Sequence, residues 1–169
     1  MVAIKEQMIF PYRAVGYDME KGGRIMMTVK RSSVFPAPEE VIFGKLQKLE
    51  TLQYIAYPYA TFIPMDETDE LIWEEGSSNS FRFKIFGLIP FGIHTINVIR
   101  FGWGDGIYTK EGNQYVPIWN HEIIMEKLDE SHTKYTDIVD IEAGWKTAFV
   151  YLWAKAFYMH RQKKWLKLL

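Results

Sequence analysis

Four histidines and a scatter of carboxylates are the side chains of this 169-residue chain best suited to moving protons. His94 and His121 fall near the starts of two extended segments and can meet Glu122 or Asp137 across a sheet, an arrangement for general acid–base work. His160 falls on the apolar side of a C-terminal helical segment. There it offers a ligand a polar anchor or a proton acceptor; the plainer reading is a ring satisfied by a backbone carbonyl near the helix end. His132 closes the turn Asp129-Glu130-Ser131-His132, an exposed position. No HExxH or comparable spacing joins these rings into a metal site, and no cofactor is expected. His160, Asp137 and Glu122 are therefore the catalytic candidates, although nothing in their spacing is a catalytic signature.

Other residues invite binding roles. Arg100 shares strand parity with His94, Ile96 and Val98, so it is expected to face inward and pair with a ligand carboxylate or with Asp137. Gly102-Trp103-Gly104-Asp105-Gly106 looks like a phosphate loop, yet no helix follows it to supply a positive N-terminus. A tight connection between strands is the better reading, with Trp103 folded onto the core or forming the rim of a cavity. The acidic run Asp66, Glu67, Asp69, Glu70 and the basic end Lys163, Lys164, Lys167 read as solvated surface. Trp165, Leu166, Leu168 and Leu169 add to that end a weak affinity for anionic lipid or a second subunit.

The elements that position these groups follow from periodicity. Residues 1–23 show no clear period and end in Gly22-Gly23, so they are expected as an extension packed over a single domain of residues 24–169. Arg24 to Ser33 reads as a first strand, broken at Pro36-Ala37-Pro38. Val41, Ile42, Leu46, Leu49 and Leu52 then recur at helical spacing behind Glu39 and Glu40, giving short helices divided near Glu50-Thr51. Strands are expected at 60–64, 70–75, 80–88 and 93–101, with further pieces around Gly112-Asn113, at 119–128 and at 133–141: six or seven in all. Phe81, Phe83 and Ile85 alternate with Arg82 and Lys84, as in a sheet with one wet face.

Ala143 to Leu169 reads as one long helix. At 100° per residue, Trp145, Phe149, Leu152, Trp153, Ala156, Met159 and His160 share the face expected to meet the sheet. Thr147, Tyr151, Tyr158, Arg161 and Gln162 are left for solvent or a partner, and Tyr151, Tyr158 and Trp165 offer a surface for a homodimer.

Composition narrows the function. Twenty Lys and Arg against 21 Asp and Glu give a net charge of -1, too little field to draw nucleic acid. Without cysteine there is no disulfide or thiolate chemistry, which suits a reducing, cytoplasmic location. The N-terminal residues lack a signal-peptide core, and Ala148 to Met159, interrupted by Lys155, is shorter than the roughly 20 residues of a spanning helix. Phe, Trp and Tyr make up 16% of the chain, enough both to fill a core and to wall a cavity with flat rigid faces.

The segment VKRSSVFPAPEEVIFGKLQKLETL, the strands after it and the junction YTDIVDIEAGWKTAFVYLWAKAF resemble, in element order, the START-like or SRPBCC superfamily, which includes polyketide cyclases and Bet v 1-like proteins. The likeness spans about residues 24 to 169. It implies an α+β helix-grip fold: an antiparallel sheet of six or seven strands wrapped around the C-terminal helix, with two short helices after the first strand and a hydrophobic tunnel inside. The 23-residue extension departs from that pattern and would be placed to cover a tunnel mouth. The group is too diverse to lend a shared set of functional residues.

The expected function is binding of a small hydrophobic or aromatic molecule, such as a lipid, isoprenoid or polyketide-like compound, between sheet and helix. Phe83, Arg100, Trp103, Trp119, His121, Trp145, Phe149, Leu152, Trp153, Ala156 and His160 are the expected contacts. Two further readings stand beside it: a cyclase, dehydratase or hydrolase using a cavity His and an acid, and an interaction module whose core is filled by its own aromatics.

Overall fold

The computed structural model describes residues 16–18, 24–65, 71 and 73–169. In chain order the elements are strand β1 (Gly16–Asp18), β2 (Arg24–Phe35), helices α1 (Glu39–Leu46) and α2 (Leu49–Ala56), then β3 (Ala60–Pro64), β4 (Ser78–Ile85), β5 (Ile89–Gly102), β6 (Gly106–Gly112), β7 (Ile118–Lys127), β8 (Thr133–Glu142), a 3-10 turn (Gly144–Lys146) and helix α3 (Thr147–Leu168). The strands form one antiparallel sheet in the order β1-β2-β8-β7-β6-β5-β4-β3. The short helices begin where Pro36 and Pro38 end β2, and Glu39 and Glu40 complement the first turn of α1. α3 packs across β2 and β8 and against α2, so the sheet curls around it. This is the helix-grip architecture.

Several boundaries differ from those expected. Leu71, Trp73 and Glu74 form no strand, while the acidic run Asp66, Glu67, Asp69 and Glu70, and with it Glu70 and Ile72 of the expected strand, lie outside the described residues. The chain reverses at Phe86-Gly87-Leu88, and Pro90-Phe91-Gly92 lies inside β5; a hairpin turn centred on Gly87 (φ 69°) needs no help from the proline. The two short helices part at Gln47-Lys48. β1 falls in the segment expected as an extension, where it pairs with β2.

Two irregularities of β5 decide what faces the cavity. Its pairing with β4 slips between the Arg82–Ile93 and Lys84–Pro90 pairs, so one extra residue on β5 lets both Phe91 and His94 look inward. Its pairing with β6 slips between Val98–Thr109 and Arg100–Tyr108. The extra residue there is Ile99. Beyond it the parity reverses: Phe101 takes the inward position and Arg100 turns outward.

Candidate functional site

Between the concave face of the sheet and α3 lies a cavity of about 330 Å³. Its walls are chiefly apolar: Phe62, Phe83 and Phe91 from the β3–β5 side, Trp119 from β7, and Trp153 and Phe157 from α3. The rings are mutually seated. Phe62 meets Phe83 edge-on at 5.1 Å, and Trp153 stacks on Phe157 at 4.9 Å. Phe149 lines the cavity and is also 70% exposed, which marks a mouth at the first turns of α3.

One part of the wall is polar, built from successive strands. His94 on β5, Thr109 and Glu111 on β6 and His121 on β7 all line the cavity and are buried or nearly so. His94 Nε2 lies 2.8 Å from Glu111 Oε2, and Thr109 donates its hydroxyl to Glu111 Oε1 at 2.6 Å. His121 Nδ1 lies 4.0 Å from Glu111 Oε1, and its Nε2 lies 2.8 Å from Asp137 Oδ1 on β8. Gln162 of α3 donates to the other oxygen of Asp137 at 2.8 Å and to the Arg31 carbonyl at 2.9 Å, while accepting from Ser33 at 2.7 Å. Two histidines and two carboxylates thus form a chain across four strands and onto the helix. Burial alone would raise the Glu111 carboxyl, but the hydrogen bond and charge of His94, with His121 and Thr109, hold it below the ordinary glutamate value. Glu111 is an anion braced by its neighbours.

α3 completes this end with Tyr158 and Arg161. Trp119 Nε1 donates to the Tyr158 oxygen at 3.3 Å, and burial pushes the Tyr158 phenol well above its usual range, so it stays neutral. The Arg161 guanidinium lies over the rings of Tyr158 (4.9 Å) and Phe157 (5.6 Å).

Of the residues expected from sequence, Phe83, Trp119, His121, Phe149 and Trp153 line this cavity. The others lie elsewhere, each for a stated reason. Arg100, turned outward by the bulge, donates to Glu122 at 2.7 Å on the convex face, so Glu122 is remote from the cavity too. Trp103 sits in the β5–β6 hairpin, half exposed, edge-on to Phe43 of α1 at 5.6 Å. His160 donates to the Tyr57 carbonyl at 2.8 Å, the plainer of its two readings. Asp137 is buried behind His121 and is not itself part of the cavity wall.

The face of α3 is nearly inverted. Its buried residues are Thr147, Ala154, Phe157, Tyr158, Arg161, Gln162 and Trp165, whereas Trp145 (83%), Leu152 (62%) and Met159 (40%) are exposed and Ala156 is half-buried off the cavity. Tyr158 and Trp165 are therefore unavailable for the expected homodimer surface. Apolar residues circle this helix, so hydrophobicity alone does not choose a face; the choice falls to polar residues with buried partners, above all Gln162 and Tyr158.

Glu111 and Thr109 went unnoticed in sequence, as did the inward Arg161. Their signal was the alternation Ile107, Thr109, Glu111 against Tyr108 and Lys110, which places the first three on one face once β6 is recognised as a strand. Among the described residues no group of three or more His, Asp or Glu could hold a metal ion, and no helix is long and apolar enough to cross a membrane.

No family model matches the chain, and no curated protein matches it in sequence. Solved structures do. The aromatase/cyclase Zhui from a Streptomyces species is similar at 12% identity, with 84% of this chain and 92% of that one covered and a TM-score of 0.65. A START superfamily protein from Mycobacterium smegmatis is similar at 14% identity, covering 83% and 94%, with a TM-score of 0.64. Ara h 8.0201 follows the same path at 10% identity, covering 84% and 99%, with a TM-score of 0.56. The chain has the START-like, or SRPBCC, helix-grip fold.

Proposed function

We propose that this protein binds a small hydrophobic or aromatic molecule in the cavity between sheet and α3. The observation that carries the reading is the cavity itself: about 330 Å³, walled chiefly by aromatic and aliphatic side chains, with a small polar group built from His94, Thr109, Glu111, His121 and Arg161 and an opening beside Phe149. Rigid rings give large contact area at low entropic cost, and a few polar groups fix orientation. The solved structures of like fold carry names that include an aromatase/cyclase, which agrees with a ligand of this class. Val150 lines the cavity near its mouth and is only half-buried, so a larger side chain there fills space without disturbing the sheet. Titration with the fluorescent apolar probe N-phenylnaphthylamine should give saturable binding, and Val150→Trp should weaken it at least about tenfold, a loss of ~1.4 kcal/mol. Equal binding by the variant would place the probe, and the proposal, elsewhere.

A second reading is favoured by the His94–Glu111–His121–Asp137 chain, because a histidine held by a buried carboxylate is suited to proton transfer. In that case the bound compound is also transformed. Recovery of a chemically altered ligand from the wild type but not from His121→Asn would establish it; identical, unaltered ligand from both would remove it.

A further inference from the structure

Within the binding reading just given, we infer that the ligand is an amphipathic acid: an apolar body with a carboxylate, or an anion of like charge, that pairs with Arg161. Arg161 is 6% exposed, lines the cavity and extends from the middle of α3. Its Nε has no hydrogen-bond partner. The two carboxylates whose field it feels, Asp137 and Glu111, are bonded instead to His121 and His94, and no ion pair joins Arg161 to any described residue. Two aromatic rings cover the guanidinium without supplying an acceptor. A buried guanidinium with no bonded acceptor is a costly arrangement, and its planar fork matches the two oxygens of a carboxylate.

The rest of the cavity lining agrees with one cationic anchor. Arg161 is the one arginine or lysine among the described residues that line the cavity, and Phe149, Trp153 and Phe91 in the same lining are apolar. An acid bound there therefore leaves its apolar body among the rings and carries its charge to Arg161. The carboxylates at that wall, Glu111 and Asp137, already have His94 and His121 as partners, which leaves the Arg161 guanidinium for the incoming charge.

The test uses two probes with one scaffold, anilinonaphthalene sulfonate and the uncharged N-phenylnaphthylamine, titrated by fluorescence into wild type and Arg161→Gln. The expected result is that Arg161→Gln weakens the sulfonate at least about tenfold and leaves the uncharged probe within about twofold. If the variant holds both probes as the wild type does, Arg161 is not an anion anchor, although the cavity remains the binding site. If the wild type takes up neither probe, the binding reading itself fails. Should Arg161→Gln not fold by circular dichroism, displacement of N-phenylnaphthylamine from the wild type decides: tighter displacement by dodecanoate than by dodecanol supports the anchor, and the reverse order overturns it.

Discussion

Glu111 is the residue on which the polar end depends. It accepts from His94 and Thr109, faces His121, and lines a chiefly apolar cavity where an unbraced carboxylate would be expensive. Glu111→Gln keeps the shape but loses one charged acceptor, and should cost about 1–3 kcal/mol in urea unfolding at neutral pH. The pH dependence follows from the direction of its shift. The native carboxyl titrates below the unfolded value of 4.5, so the unfolded chain binds more protons as pH falls, and stability present above 4.5 is lost through the lower native value. The gap between wild type and Glu111→Gln should accordingly shrink below pH 4.5; a constant gap would mean that the charge of Glu111 is not what stabilises. At the alkaline limb, burial raises Tyr135 and Tyr158, so their contribution is full below pH 10 and declines above it. Partnerships of this kind are only half legible in sequence. His121 with Asp137 is expected across neighbouring strands, while His94 with Glu111 is not, because the piece expected around Gly112-Asn113 has no bounds from which the facing of Glu111 follows.

At the scale of elements, the sheet and the terminal helix follow from periodicity, but inward and outward do not. Alternation predicts facing only while the ladder is regular, and β5 departs from it twice. Arg100 and Phe101 exchange places for that reason, which no property of either side chain reveals. The same limit applies to α3, where apolar residues on every side made Trp145 and Leu152 look internal and Arg161 external. The β5–β6 hairpin shows what does hold the ladder in register. Gly106 has φ 78°, and a Cβ there would stand 2.6 Å from the Ile123 carbonyl oxygen on β7; Gly104, at φ 77°, faces open space. Gly106→Ala should therefore destabilise by about 2 kcal/mol or more, against about 1 kcal/mol for Gly104→Ala. Comparable urea midpoints for the two variants would show that the close approach of β6 to β7 does not constrain this turn.

As a whole molecule, the protein is a sheet that gives up close packing along one side of a helix. A second apolar cluster, around Trp165, Phe35, Tyr135 and Ile42, is filled by its own aromatic rings at the C-terminal end of α3. The cavity opens in the other cluster, beside Trp119 and Phe157, and reaches Ile55, Ile107 and Ile123 at the edge of the second. The rings around Trp165 close one end of the grip while the cavity leaves space along the rest, so the interaction-module reading with a fully filled core does not describe this interior. The aromatic content noted in sequence serves both ends, which is why composition alone could not divide core from cavity. The central claim is that this space belongs to a small amphipathic molecule. Native mass spectrometry of the purified protein, with organic extraction of whatever travels with it and a second spectrum after adding dodecanoate, tests that most directly. A one-to-one adduct is expected, either carried from the cell or formed on addition, that Val150→Trp lacks. A spectrum showing only the bare polypeptide mass under both conditions would contradict it.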